Sequence, residues 1–457
     1  MRFFKIANIK KTIYYFKRNG IMNTFYAVWE RCIGEKTEYS FFEPEEAVLD
    51  EQRKYSFKKL YKFSILVPAY ETKEVYLREL IESVLKQTYT NFELIIADAG
   101  KSNHVEQVVK SYDDRRIKYI KLKENGGISE NTNEGLKLAT GDYVGLLDHD
   151  DILTGNALFE MAKKIEKGQE TGRDYHMLYS DEDKCDGEGK QFFDPHIKTD
   201  FNLDLLLSNN YICHFLVMKT ELMKELGFRK EYDGAQDYDI ILRAVECLLK
   251  ENGYEKTKNG QIGHVPQVLY HWRCHEASTA ENPESKKYAY DAGKRAVTDF
   301  VERMGWHAKV EDTCHVGFYR IEEQDIFSDL GNVGAIGGKV LDRKNRVTGN
   351  LQLEGKKPFE GLYVHFSGYM HRASLWQTMD TLDLRCIRVH PDLRGLFEEI
   401  TGMGYTENEK NKMFFGEKYK KSEEEWSILS NAFCEEVKKR GYRLIFYPKY
   451  VYKIRKK

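Results

Sequence analysis

The sequence predicts an α/β protein with a mainly parallel central sheet and a smaller α/β domain at its C-terminal end. Three observations carry that expectation. From residue 63 to residue 167, short β-prone apolar runs alternate with stretches of helical periodicity. Acidic residues stand at the ends of the second and fourth runs, where parallel sheets bind ligands. After residue 170, and again after 331, the strict alternation gives way to a looser mix of strands and helices.

In chain order, residues 1–20 hold Arg2, Lys5, Lys10, Lys11, Lys17 and Arg18 and no acid. Phe3, Ile6, Ile9, Ile13 and Phe16 recur there at helical spacing. A basic amphipathic helix is predicted, with two readings open. It contacts an anionic membrane surface, or it docks on the protein's own body. Residues 21–60 are polar and read as a connecting segment.

Residues 63–68 form the first predicted strand. Leu77, Leu80, Ile81, Val84 and Leu85 mark one face of the helix after it. Residues 92–97 make a second buried strand ending at Asp98, and 116–122 a third. Residues 128–139 are helical, 143–147 form the fourth strand, and 157–167 the next helix. The βαβαβ order implies parallel pairing with right-handed crossovers. Then come a strand at 176–180 running into Asp181, Glu182 and Asp183, a strand at 213–218 and a short helix at 221–226. A helix opens at Gln236, Asp237, Tyr238 and Asp239, and a strand at 265–272 and a long helix at 286–304 follow. The expected domains are 1–60, 61–320 and 321–457.

With 457 residues there is room for two or three domains with real cores. A net charge of −2 gives no sign of a nucleic-acid partner. Eight scattered cysteines without a C-x-x-C pair read as free thiols of a reducing compartment. No apolar stretch is long enough to cross a bilayer and no signal peptide is visible, so the expected location is the cytoplasm.

The chemistry concentrates at 142–151, DYVGLLDHDD. Here a short apolar strand runs into Asp148, Asp150 and Asp151. Crowded carboxylates at a buried strand end repel one another unless a cation neutralises them. Aspartates at i and i+2 suit one hard divalent ion, which leaves positions for phosphate oxygens. A phosphate-bearing donor is therefore expected. An isolated Asp-X-Asp would read as an acidic turn. Neither G-x-G-x-x-G nor G-x-x-x-x-G-K-[ST] is present, which argues against dinucleotide oxidoreductases and P-loop kinases.

The order FSILVPAYE (63–71), VLKQTY (84–89), FELIIAD (92–98), ENGGIS (124–129), ATGDYVGLLDHDD (139–151), YSDEDK (179–184), QDYD (236–239) and YHWRCHEAST (270–279) resembles family 2 glycosyltransferases of the GT-A fold. The subgroup it is most similar to builds rhamnan and other bacterial surface polysaccharides. The resemblance implies that Pro68, Ala69, Tyr70, Glu71, Asp98, Asn125, Gly126 and Gln236 hold the donor nucleotide or sugar. It makes Asp148 and Asp150 the metal motif, Asp150 being the direct ligand, for Mn²⁺ or Mg²⁺. His275 joins the metal, with His271 as runner-up. Asp151 binds sugar hydroxyls or caps the next helix. Asp181 and Asp183 line the donor or acceptor pocket, or form a solvated acidic turn.

Asp237 becomes the catalytic base, with Asp239 as competitor and a plain helix cap as the bland reading. The family usually has Glu-Asp where this chain has Gln236-Asp237. The implied reaction is inverting transfer of a hexose or deoxyhexose from a UDP- or dTDP-linked sugar to a glycan or lipid-linked glycan acceptor. The alternatives are a decayed glycan-binding scaffold and a sugar nucleotidyltransferase. The latter needs a glycine-rich basic loop after the first strand, and that loop is missing.

Residues 332–342 and 441–452 look like pieces of a second, incomplete transferase module. Asp237-Tyr238-Asp239-Ile240 aligns with Glu425-Trp426-Ser427-Ile428, and 265–270 with 444–450. The second copy has no strand-end Asp-X-Asp and reads as catalytically dead.

Overall fold

The computed structural model describes residues 6–34, 39–275, 287–409 and 412–454. Its contacts divide the chain into two compact units. One is Glu38–Phe201 with Asn210–Met304; the other is Met1–Thr37 with Asn202–Asn209 and Gly305–Lys457.

The elements begin with α1 (Ile6–Ile33), α2 (Glu46–Lys54), β1 (Phe63–Ala69), α3 (Glu74–Leu85), β2 (Phe92–Asp98), α4 (His104–Lys110), β3 (Ile117–Lys121), α5 (Ile128–Leu136) and β4 (Tyr143–Leu146). Next are β5 (Ile152–Leu153), α6 (Ala157–Glu170), β6 (Met177–Cys185), β7 (Phe192–His196), α7 (Leu203–Ser208), β8 (Leu216–Lys219), α8 (Thr220–Leu226), α9 (Gln236–Lys256), β9 (Ile262–Arg273) and α10 (Lys287–Arg303). The remainder are β10 (Ala308–Asp312), β11 (Tyr319–Glu323), α11 (Ile326–Asp329), β12 (Val333–Leu341), β13 (Val347–Thr348), β14 (Gln377–Thr378), β15 (Cys386–Val389), α12 (Arg394–Thr401), β16 (Phe414–Phe415), α13 (Glu423–Lys439) and β17 (Arg443–Lys453).

The first sheet runs β3-β2-β1-β4-β8-β6-β9-β5, with β7 beside β6. Its first four strands pair in parallel, and β6 also pairs in parallel with β9. β8 is antiparallel to both of its neighbours. β1 and β2 are almost continuously apolar because helices cover both faces. Leu77, Leu80, Ile81 and Val84 of α3 are buried in that core with Ile65 and Leu94, each contributing about 1.5–3 kcal/mol. α5 lies very close to β1: a Cβ on Gly135 would stand 2.5 Å from Leu66 Cδ1. The order reverses around β1, which has β2 on one side and β4 on the other. That is the crevice where open α/β sheets take ligands. The register Ala69↔Asp98 and Leu66↔Leu146 brings 68–71, Asp98 and the 148–151 turn to one end of the sheet.

The second unit has a sheet of order β14-β17-β12-β15-β16, with β13 beside β12. Its pairing repeats that of the first sheet's mixed half. β12 is parallel to β17 as β6 is to β9, and antiparallel to β15 and β13 as β6 is to β8 and β7. α13 leads into β17 as α9 leads towards β9. The weak internal alignment thus falls on corresponding elements.

Three expectations need correction. Residues 21–60 are not a plain connector. α1 continues to Ile33 across a non-helical Gly20, and α2 follows. Ile21, Met22, Phe25, Tyr26, Val28 and Trp29 supply an apolar content that a reading of polarity passed over. Asp181, Glu182 and Asp183 form no turn but continue β6, where each is hydrogen-bonded to a histidine (below). The strand expected at 213–218 begins only at Leu216. Phe3 lies outside the described residues, as do Glu276–Thr279 of the last motif.

Candidate active site

The turn after β4 presents the acidic cluster. Asp150 Oδ2 lies 2.7 Å from His275 Nε2, and both side chains are mostly buried. The Tyr76 ring stacks on His275. Arg273 Nε donates to the Asp150 carbonyl at 2.6 Å, fixing the turn from β9. His149 Nδ1 is buried without a hydrogen-bond partner among the described residues, 4.0 Å from Asp150 Oδ1. Protein surroundings and the neighbouring Asp150 and Asp237 raise the Asp148 pKa, against the pull of His214 and His149. Asp148 and Asp150 share this turn with His275, and His214 lies 3.9 Å from Asp148 on the segment whose Asn210 contacts Asp237.

Asp237 and Asp239 separate cleanly. Asp239 is buried and clamped by two guanidiniums: Arg243 Nε and Nη2 donate at 2.9 and 2.7 Å, and Arg229 pairs with it as well. Four guanidinium hydrogen bonds thus fall on its carboxylate. Asp237, in the first turn of α9, is partly exposed and accepts from Asn210 Nδ2 at 2.9 Å. Burial and the adjacent Asp237 push the Cys213 thiol up to about 12. Gln236 turns back to accept from Gly234 N at 2.9 Å, a local cap.

Glu71 and Asp98 build a second corner. Asp98 ends β2, fully buried, accepting from Tyr119 Oη, Lys121 Nζ and Gly100 N, each at 2.8 Å. That fills three of about four acceptor positions. Glu71, in the left-handed region at φ 48°, accepts from Lys101 N at 2.5 Å and Ser102 Oγ at 2.9 Å. Those hydrogen bonds hold its pKa below the ordinary value. Gly100 fits between the two carboxylates, since a Cβ there would lie 2.9 Å from Asp98 Oδ1. Pro68 and Ala69 continue β1 to this corner, and Tyr70 is exposed. Asn125 Oδ1 accepts from Asn131 Nδ2 and Gly127 N, shaping the loop of Asn125 and Gly126 ahead of α5.

Three predicted roles do not match these placements. Asp151 is 1% exposed and accepts from Tyr270 Oη at 2.5 Å and Arg273 N at 2.7 Å. Burial and then Asp150 and Asp148 hold its pKa well above the usual carboxylate range. It braces the turn against β9 and does not cap α6, whose N-cap is Asn156. Asp181 and Asp183 are likewise buried. Asp181 pairs with His264 at 2.9 Å, and Asp183 with His271 at 2.5 Å and Tyr39 Oη at 2.7 Å. That occupies His271 Nδ1; the ring packs between Phe41 and Phe192, with Nε2 buried and without a hydrogen-bond partner among the described residues, while His275 is the ring beside Asp150.

Sequence reasoning missed Glu182, His214, Asn210 and Arg273. Glu182 accepts from His214 N at 2.5 Å and pairs with His214 Nδ1 at 2.9 Å. His214 Nε2 is 3.9 Å from Asp148 Oδ2. Burial would lower the His214 pKa, but its neighbours Cys213 and Glu182 outweigh it and raise it above its ordinary value. Glu182 and Arg273 stood inside motifs already singled out; His214 and Asn210 carried no local signal. A cavity of about 540 Å³ lies at the opposite end of the sheet, near Lys59, Asp142, Asp174 and Lys219, away from these groups.

A parallel half with carboxylates at its strand ends, joined to a mixed half with an acid in the first turn of a helix, is the α/β arrangement of the GT-A fold. The chain belongs to glycosyltransferase family 2. The sequence model described as Glycosyl transferase family 2 matches residues 64–227. An uncharacterized glycosyltransferase of Methanocaldococcus jannaschii, MJ1057, is 30% identical over 233 residues, 46% of this chain and 79% of that relative. The uncharacterized protein y4gI of Sinorhizobium fredii is 38% identical over 244 residues, 52% of this chain but 25% of that protein. The O-antigen biosynthesis protein RfbC of Myxococcus xanthus is 32% identical over 259 residues, 56% of this chain and 19% of that protein. The chain thus spans a quarter or less of these last two relatives.

Proposed function

We propose that the chain is an inverting, metal-dependent transferase that moves a hexose or deoxyhexose from a UDP- or dTDP-linked donor to a glycan or lipid-linked glycan of a surface polysaccharide. The observation that carries this is the strand-end pair Asp148 and Asp150 with His275 2.7 Å from Asp150, beside the 210–214 segment that contacts both Asp148 and Asp237. The name of the relative RfbC supports the polysaccharide setting. A cytoplasmic location fits a nucleotide-sugar donor.

Asp150 and His275 fit a divalent ion, Mn²⁺ or Mg²⁺. Among the described residues no three His, Cys, Asp or Glu side chains converge on one point. A two-donor set suits an ion that keeps waters and substrate phosphates as its other ligands. When bound, the ion supplies neutralisation of the diphosphate and of charge on the leaving group. Glu71 and Asp98 organise the loop over the nucleoside. Asp237, steadied by Asn210, takes the proton of the acceptor hydroxyl as that oxygen bonds to the anomeric carbon. The bond from that carbon to the diphosphate oxygen breaks, its electron pair leaving with the nucleoside diphosphate, and the centre inverts. His214, with Nε2 3.9 Å from Asp148 Oδ2, braces the acidic turn from the Glu182 side. The second unit is read as a degenerate copy of the acceptor-side half, without its own chemistry.

Purified chain with Mn²⁺, UDP- and dTDP-sugars and a lipid-linked oligosaccharide should release nucleoside diphosphate. Asp237→Asn should lower release by about 10²–10⁴-fold. Full transfer by that variant would overturn the base assignment.

A further inference from the structure

We propose that α1 is a lipid-docking helix, fastened on one side to the chain's second unit and presenting the other to an anionic bilayer surface. The fastening is specific. Glu30 accepts from Ser367 N and Oγ at 3.0 Å each and from Gly368 N at 2.7 Å. The Tyr26 ring stacks on His365 at 4.3 Å, and Trp29 packs against Tyr363 and Phe366. Asn19 Nδ2 donates to Cys314 O at 2.9 Å. These contacts fix which side of the helix faces out.

The outward side is apolar. After the non-helical Gly20 the helix restarts, and Ile21, Phe25 and Val28 fall at i, i+4 and i+7 on one stripe. Their exposures are 71%, 57% and 42%, with Met22 beside them at 57%. Ahead of Gly20, Ile13 and Phe16 are also half exposed and Lys17 is exposed among them, while Arg18 Nη2 donates to Thr313 O at 3.2 Å on the fastened side. A globular helix ordinarily turns its apolar stripe to the core. Here the core-facing side is the one holding Tyr26 and Glu30. A continuous exposed apolar surface marks an interaction site.

Charge selects the occupant. Arg2, Lys5, Lys10, Lys11, Lys17 and Arg18 precede Glu30 with no acid between, and Glu30 itself is taken up by the 367–368 backbone. Anionic headgroups complement this charge while the acyl boundary takes the stripe. A second copy of the same helix would set like charges against each other. Among the described residues no helix is long and apolar enough to cross a membrane, so docking is in the plane of the surface. The inference stands apart from the transferase reading, and either can fail alone.

The test is cosedimentation of the full chain with phosphatidylcholine vesicles, with and without phosphatidylglycerol. The wild type should bind the anionic vesicles at least about 10-fold more tightly and lose binding as salt rises. The triple variant Ile21→Ser, Phe25→Ser, Val28→Ser changes only exposed positions and should keep its circular dichroism spectrum. It should lose at least about 10-fold in vesicle affinity. Equal binding to both vesicle types, no binding, or unchanged binding by the folded variant would overturn the proposal. So would a wild-type dimer in light scattering that the variant dissolves, because the stripe would then belong to a second copy.

Discussion

β6 and β12 hold the same place in two sheets, yet one is crowded with charge and the other is nearly devoid of it. In β6, Asp181, Glu182 and Asp183 are each matched by a histidine, and Glu182 links through His214 to the acidic turn. In β12 the corresponding stretch is glycine-rich and fully buried, with Lys339 as its one charge. The helices differ in the same way. α9 opens on Asp237, held only loosely by its neighbours, whereas α13 opens on a closed capping box. There Ser422 accepts from Glu425 N, and Glu425 accepts from Ser422 N at 2.6 Å. On the proposed reading, a repeated topology does not carry chemistry with it, and the difference lies in whether the acid at the helix start is left available or is used in the cap.

The largest expected contrast lies in turnover. Asp237→Asn should cost about 10²–10⁴-fold in nucleoside diphosphate release. Glu425→Gln, which keeps an acceptor for Ser422 N, should change it by less than about 2-fold. Equal losses would erase the distinction between the two helices.

Next comes stability. Arg385 pairs with buried Asp383 through Nε and Nη2 at 2.9 and 2.8 Å and with Glu423 through Nη1. Arg385→Ala leaves Asp383 uncompensated and should destabilise the second unit by about 3–5 kcal/mol in chemical denaturation. A loss below about 1 kcal/mol would mean that solvent already reaches the pair.

The pH dependence is smaller. Burial lowers the Lys339 pKa from 10.5 to about 8. Between about pH 8 and 10.5 the unfolded chain binds more protons at this amine than the folded one, so stability rises with pH across that window. The rise should not exceed about 3 kcal/mol, and Lys339→Met should flatten it in melts at several pH values. Smallest of all, Ser422→Ala should cost about 1 kcal/mol through the lost cap, read as a lower Tm.

Much of the first sheet was legible because β1 to β4 are apolar runs of the right length between helical patterns. Asp98 and the acids of 148–151 stood out because they end such runs. The partners of the acids were not legible. Asp239 looks as free as Asp237 in the sequence, and only the approach of Arg229 and Arg243 removes it from contention. Asp181 and Asp183 look solvated until His264 and His271, more than eighty residues away in sequence, bury them. His214 gave no local signal because its importance comes from Glu182 and Asp148, both distant in the chain. The length of α1 was hidden because its second half mixes apolar residues with a helix-interrupting glycine.

The most direct test of the central claim is calorimetric titration of nucleoside diphosphate into the wild type and Asp150→Ala, with and without Mn²⁺. The expected result is Mn²⁺-dependent binding by the wild type that falls at least about 10-fold in the variant. Equally tight binding by both proteins, with no response to Mn²⁺, would contradict it.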